Sequence, residues 1–216
     1  MKKSDHAMIN QPNHAEESSL IAQGYRRIAG FDEAGRGALA GPVVAAAAIL
    51  PEKPDLSWIP MVRDSKLLPG KTRERIFSLM RDSGIEIGIG IVPPQVIDSI
   101  NILNATKKAM LAALHALPQP PDYLLIDALV LPGLRIRQKG IIKGDRTVLS
   151  IACASIAAKV TRDYIMLELD MTYPQYGFCN HKGYGTVHHL DCLRRHGACQ
   201  AHRLTFAPVR ELSRLI

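Results

Sequence analysis

Residues 148–171, VLSIACASIAAKVTRDYIMLELDM, are helical in propensity and apolar almost all round their early turns. A helix of that kind cannot lie on a surface, so other elements must cover it and it belongs in the middle of a fold. Pro174 helps to end it. The covering elements are legible upstream. RRIAGF (26–31) reads as a strand ending at Asp32, DEAGRGALAGP as a glycine-rich turn, and PVVAAAAIL (42–50) as a second, buried strand. PEKPDLSWIP reads as a loop, KTRERIFSLMRD (71–82) as a helix, and the alternating IEIGIGIV (85–92) as a strand. NILNATKKAMLAALHAL (101–117) has helical periodicity and is stopped by PQPP. DYLLID (122–127) is a short apolar strand, with LRIRQ (134–138) and GIIKG (140–144) as two more. Beyond the central helix, the loop QYGFCNHKGYG leads to an amphipathic helix near 186–196, and the last 20 residues are basic and irregular. Strands followed by mixed strand–helix units predict an α/β fold with a mixed central sheet.

The 216 residues suit one domain, and 47% hydrophobic with 22% charged residues are ordinary globular values. A chain of this length buries enough surface to fold without a disulfide or structural metal. The polar start, residues 1–23, reads as a flexible tail, and residues 24–216 as the folded domain with a small helical C-terminal portion. No secretory signal and no apolar run of membrane-spanning length is visible, so the expectation is a soluble, cytoplasmic protein with no membrane partner. The four cysteines, Cys153, Cys179, Cys192 and Cys199, form no CxxC pair and read as reduced packing residues. A zinc site from Cys179, His181, Cys192 and Cys199 fits no common ligand spacing. Net charge is +7, and the surplus is local: from residue 135 onward there are 13 Lys/Arg against 6 Asp/Glu, while the first 134 residues balance. That asymmetry suits a polyanion-binding face, the alternative being a basic solvated surface.

Four places carry candidate chemistry. Asp32 and Glu33 are adjacent at a strand end and precede Gly35-Arg36-Gly37. Two crowded carboxylates repel unless a cation neutralises them, and hard divalent cations take oxygen ligands of this kind; the alternative is a solvated acidic turn. Asp127 again closes an apolar strand and can converge on Asp32, because ligands of open α/β sheets gather at carboxyl ends of strands; a turn-starting Asp is the other reading. Asp145 lies just ahead of the long helix, where an N-cap competes with a metal ligand as its role. Within that helix Ser155, Lys159 and Asp163 stand at i, i+4 and i+8. A simple Lys159–Asp163 pair explains little in a core; a polar stripe facing a cleft explains more, with Lys159 holding a phosphate or balancing the carboxylates.

In order these pieces are DEAGRG, RDSK (63–66), NILNAT (101–106), LLID, KGD (143–145), ASIAAKVTRD (154–163) and HKGYGTVHH (181–189). The set resembles the bacterial type 2 ribonuclease H (RNase HII) family from about residue 26 to residue 210. The resemblance implies an RNase H-like catalytic domain and an endoribonuclease. Its substrates would be the RNA strand of RNA–DNA hybrids and ribonucleotides embedded in duplex DNA, cut on the 5′ side to leave 5′-phosphate and 3′-hydroxyl ends. It implies a catalytic site of Asp32, Glu33, Asp127 and Asp145 holding Mn²⁺ or Mg²⁺. By the same resemblance the Gly35-Arg36-Gly37 turn binds the backbone at the RNA–DNA junction, and Lys66, Ser155 and Lys159 contact phosphates. Tyr184 packs beneath a deoxyribose, with Asp163 at the site margin. One departure is Ala38, where the family more usually has proline, a change expected to loosen the turn slightly. The expected assembly is a monomer, recruited by an unidentified replication or repair partner if by any. A non-catalytic nucleic-acid-binding module of the same fold is the rival, and the presence of all four acids speaks against it.

Overall fold

The computed structural model describes residues 11–52, 58–62 and 68–212. In chain order the elements are α1 (Ala15–Ala22), β1 (Ile28–Ala34), β2 (Val43–Ile49), α2 (Gly70–Asp82), β3 (Glu86–Val92), α3 (Pro94–His115), β4 (Tyr123–Asp127), β5 (Arg137–Ile141), α4 (Leu149–Thr172), α5 (Phe178–His181), α6 (Val187–His196) and α7 (Ala207–Leu212). The five strands form one mixed sheet in the order β3-β2-β1-β4-β5. β2 pairs antiparallel with both β1 and β3, whereas β1 with β4 and β4 with β5 run parallel. This is the expected α/β architecture.

Side-chain alternation explains how β2, VVAAAAI, is buried on both faces. Val43, Ala45, Ala47 and Ile49 face a core built with Ala105, Ala109, Met110 and Ala113 of α3. Val44, Ala46 and Ala48 face α4 and, from α2, Ile76 and Met80. Period-two geometry sends neighbours to opposite sides, and the run of alanines suits a sheet covered by helices on both. The long helix α4 is central, as its apolar girdle requires: Leu149 to Ala158 are buried without a break. Among the described residues, no helix is long and apolar enough to cross a membrane. All four cysteines are free thiols.

Three segments depart from the expectations. The helix expected from residue 101 is preceded by another, starting at Pro94. Asn101 breaks them at φ 64°, and its side chain accepts the N–H of Asn104 at 3.1 Å, capping the second helix. The two strands expected at 134–138 and 140–144 are a single strand, Arg137–Ile141. Gln138 bonds both the N–H and the carbonyl of Leu131, folding 131–136 back as turns, while Lys143 adopts a left-handed conformation that ends the extended run. Finally, residues 11–22, expected within a flexible tail, are docked. α1 buries Leu20 against Ile28, Leu125, Val148 and Ile151, and the N–H of Asn13 bonds the carbonyl of Thr147 at 3.1 Å.

The C-terminal portion is helical as expected, with α7 giving order to residues read as irregular. Tyr176, Phe178, Cys192 and Ala201 pack on Met166 of α4, and Val209 packs with Leu39 and Leu193. This wall stands beside the glycine-rich turn that follows β1.

Candidate active site

Parallel pairing of β1 and β4 decides where the acids meet. The register ends at Phe31↔Ile126, so Asp32 and Asp127 lie one step beyond the last pair, at the same carboxyl edge of the sheet. Asp32 is 4% exposed. Burial first, then the charge of Glu33 and that of Asp127, pushes its carboxyl well above the usual carboxylate range; the Ser155 hydroxyl and the Glu33 N–H, donating to it, pull the other way. The Glu33 N–H bond to Asp32 Oδ1 is 2.7 Å long. Arg36 Nη1 sits 3.2 Å from Glu33 Oε1. Asp127 Oδ1 accepts the N–H of Gly144 at 2.8 Å, which ties the strand end to the turn bearing Asp145.

Asp145 is buried in a single 3₁₀ turn, Gly144–Arg146. It is not the cap of α4, whose N-cap is Val148 with no side-chain bond. The first N–H groups of α4 are satisfied from elsewhere: Leu149 N–H by the Asn13 carbonyl at 3.0 Å and Ser150 N–H by Glu17 Oε1 at 2.8 Å. The capping alternative for Asp145 therefore falls away. Among the described residues, no three Asp, Glu, His or Cys side chains converge on one point as a metal cage does. The donor set at the sheet edge is nonetheless oxygen only, and Glu33 and Asp127 both load negative charge onto Asp32. That chemistry fits a hard divalent cation and not zinc bound by thiolate and imidazole.

A cleft of about 460 Å³ opens beside these acids, lined by Glu33, Ala34, Gly35, Arg36, Gly37, Ser155, Lys159 and Tyr184. The polar stripe of α4 thus faces a cleft at Ser155 and Lys159. Its third member does not line it: Asp163 bonds Lys159 Nζ at 2.6 Å and Arg73 at 3.1 Å. The Lys159–Asp163 pair discounted from sequence is therefore real, and it coexists with the cleft. Burial lowers the Lys159 ammonium while Asp163 opposes the shift. Lys66 lies outside the described residues.

The two glycines flanking Arg36 differ in their physical roles. Gly35 has φ 94°, and a Cβ there would collide with the Arg162 side chain; at Gly37 a Cβ would meet nothing within 4 Å. The first is required by packing and turn geometry. The second leaves an open face where a backbone can come close. Ala38 does not loosen the turn as expected: its N–H bonds the Gly35 carbonyl at 3.3 Å, a closure proline could not make.

Two residues that escaped the reading of the motifs build this turn. Arg203, fully buried, donates to the carbonyls of Gly35, Arg36, Gly41 and Pro42. Arg162, also fully buried, donates to Pro42, Ala40 and Lys182. Burial holds both guanidiniums below their ordinary values. Arg162 had a signal: it lies seven residues after Ser155 and so on the same helical face. Arg203 had none, since it sits in an irregular stretch.

Tyr184 stands 39% exposed on a loop held by histidines. The bonds fix their tautomers. His189 Nδ1 must donate to the Tyr184 carbonyl at 2.9 Å, so its Nε2 accepts from His202 Nε2 at 3.1 Å, and His202 Nδ1 accepts the Cys199 N–H at 3.0 Å. Both rings are neutral, and burial pushes each down to about 4.

Comparison with known proteins agrees with this geometry. The family model for Ribonuclease HII matches residues 29–209. A ribonuclease HII of Desulfitobacterium hafniense is 54% identical over 196 residues, covering 91% of this chain and 74% of its own. One from Dehalococcoides mccartyi is 48% identical over 201 residues, covering 93% and 95%. Among solved structures, the ribonuclease H2 of Pyrococcus horikoshii superposes with a TM-score of 0.71 at 28% identity, over 88% of this chain and 98% of that one. The RNase HIII solved in complex with Mn²⁺ shares the fold at 19% identity, TM-score 0.66, over 88% of this chain and 70% of that one. The strand-end acids, the glycine turn and the tyrosine loop thus lie within a match spanning nearly the whole folded domain: the chain belongs to the Ribonuclease HII family and is an endoribonuclease acting on RNA–DNA hybrids.

Proposed function

We propose that this enzyme, besides cutting the RNA strand of hybrids, incises duplex DNA on the 5′ side of embedded ribonucleotides, leaving 5′-phosphate and 3′-hydroxyl ends. The observation that carries the reading is one cleft shared by Glu33, the Gly35–Gly37 turn, Lys159 and the exposed Tyr184. Asp32, Glu33, Asp127 and Asp145 would hold Mg²⁺ or Mn²⁺. When bound, such ions supply an acidified water and neutralise charge on the phosphate and the leaving oxygen.

The protein's own groups do the rest. Ser155 donates to Asp32, orients its carboxyl and opposes the burial that disfavours the ionised form. The main-chain N–H groups of the glycine turn receive the backbone at the junction, with Gly37 leaving room for its approach. Lys159, held by Asp163, and Lys66 contact phosphates. Tyr184 offers a flat face to the deoxyribose after the cut, and the ribose 2′-hydroxyl distinguishes the RNA side. The enzyme works as a monomer in the cytoplasm.

The test is a duplex DNA with one embedded ribonucleotide, incubated with Mg²⁺, Mn²⁺ or EDTA, with product ends mapped on a sequencing gel. Incision 5′ of the ribonucleotide in either metal, and none in EDTA, is expected. Cleavage of continuous hybrid with no incision of this duplex would overturn the junction reading.

A further inference from the structure

We propose that Arg162 is a specificity-determining positioning residue, setting the spacing between the Gly35–Gly37 turn and the Tyr184 loop and thereby the preference for a junction over a continuous hybrid. The proposal rests on the junction reading of those two loops.

The geometry behind it is a three-way bond. Arg162 Nε donates to the Pro42 carbonyl at 3.0 Å and Nη2 to the Ala40 carbonyl at 3.0 Å, both on the chain leaving the glycine turn. Nη1 donates to the Lys182 carbonyl at 2.9 Å, two residues before Tyr184. The guanidinium carbon lies 5.5 Å from the centroid of the Tyr184 ring. A guanidinium is planar with donors in fixed directions, so three bonded carbonyls leave the two loops little freedom to slide. The side chain is fully buried, and all its hydrogen-bond partners in the two loops are carbonyls. Burying a charge without a bonded carboxylate is expensive. Packing alone could be met by an apolar side chain; holding carbonyls of two loops at once could not.

Two glycines make the close approach possible. Gly35 accommodates the Arg162 side chain, and at Gly183, φ 78°, a Cβ would collide with the Ala40 carbonyl oxygen. The loops also touch directly, since Leu39 and Ala40 both donate to the Gly183 carbonyl, at 2.8 and 3.3 Å. Recognition of a junction requires contacts on successive nucleotides, and a displacement of about 1 Å in such positioning degrades rates severely.

The experiment measures kcat/KM on a duplex with a single ribonucleotide and on a continuous RNA–DNA hybrid, for the parent, Arg162→Lys, Tyr184→Ala and the double variant. Arg162→Lys keeps the charge and loses the fork. It should lower the junction-to-hybrid ratio roughly tenfold, the size of one lost contact on an aromatic face. The double variant should fall no further than the more impaired single one, because the same contact is lost once. An equal fall on both substrates, or an additive double variant, overturns the role of Arg162. A Tyr184→Ala ratio equal to the parent's overturns the junction reading itself, on a separate arm. If urea unfolding shows Arg162→Lys to be unfolded, Gly183→Ala forces the same spacing from the other side. The ratio should then drop likewise, and an unchanged ratio overturns the proposal.

Discussion

The N–H of Ser150, in the first turn of the central helix, is bonded at 2.8 Å to the carboxylate of Glu17, 133 residues earlier in the chain. Glu17 is 2% exposed and completes the end of a helix that has no cap of its own. A carboxylate there satisfies an orphan donor and complements the positive end of the helix dipole. Glu17→Ala should lower stability by roughly 1–3 kcal/mol, the cost of leaving a buried donor unmade. Urea unfolding measures it, and an unchanged midpoint would show that α1 is not a cap.

Asp32→Asn should abolish cleavage of both substrates, because the proposed ligand set loses a buried carboxylate. The fold should survive. Burial and the charges of Glu33 and Asp127 all disfavour ionised Asp32, so removing that charge relieves the metal-free protein. In EDTA the variant should melt no lower than the parent by calorimetry. Full activity would remove Asp32 from the site.

Lys159 is bonded to Asp163, and the proposed function adds a substrate phosphate as its second partner. Lys159→Ala should weaken hybrid binding and flatten the plot of log Kd against log salt by about 0.9, one phosphate contact. Asp163 keeps Arg73 at 3.1 Å, so stability should hold. An unchanged slope would make Lys159 purely a structural partner of Asp163.

His189 and His202 are depressed to about 4 in the folded protein. The unfolded chain binds their protons near pH 6.5, so stability is full above that value and falls as pH drops from 6.5 towards 4. The loss should be roughly 1–2 kcal/mol per histidine between pH 7 and 5. Urea midpoints at pH 7, 6 and 5 test this; a flat profile would show that the rings can be protonated in place.

Much of this molecule is determined by local sequence. The apolar girdle at 148–160 demands a covered helix, the alternation in 85–92 demands a strand, and Asp32 and Asp127 each follow an apolar run of strand residues, although β1 itself runs on past Asp32 to Ala34. Period and strand-end position are properties of a few neighbouring residues, so they can be read directly. The motif order then carried the family, and with it Asp145, whose role its own surroundings left open between cap and ligand. Tertiary structure removed the capping alternative, because the groups that close α4 come from Asn13 and Glu17, far away in the chain. It also decided that Gln138 folds a would-be strand back into turns, and that Arg162 and Arg203 are buried among carbonyls. An arginine in sequence says only that a charge must be accommodated. Which backbone oxygens receive its five donors depends on loops 20 to 168 residues away in sequence. Periodicity reports which face of an element is apolar; only packing settles which distant polar groups meet there.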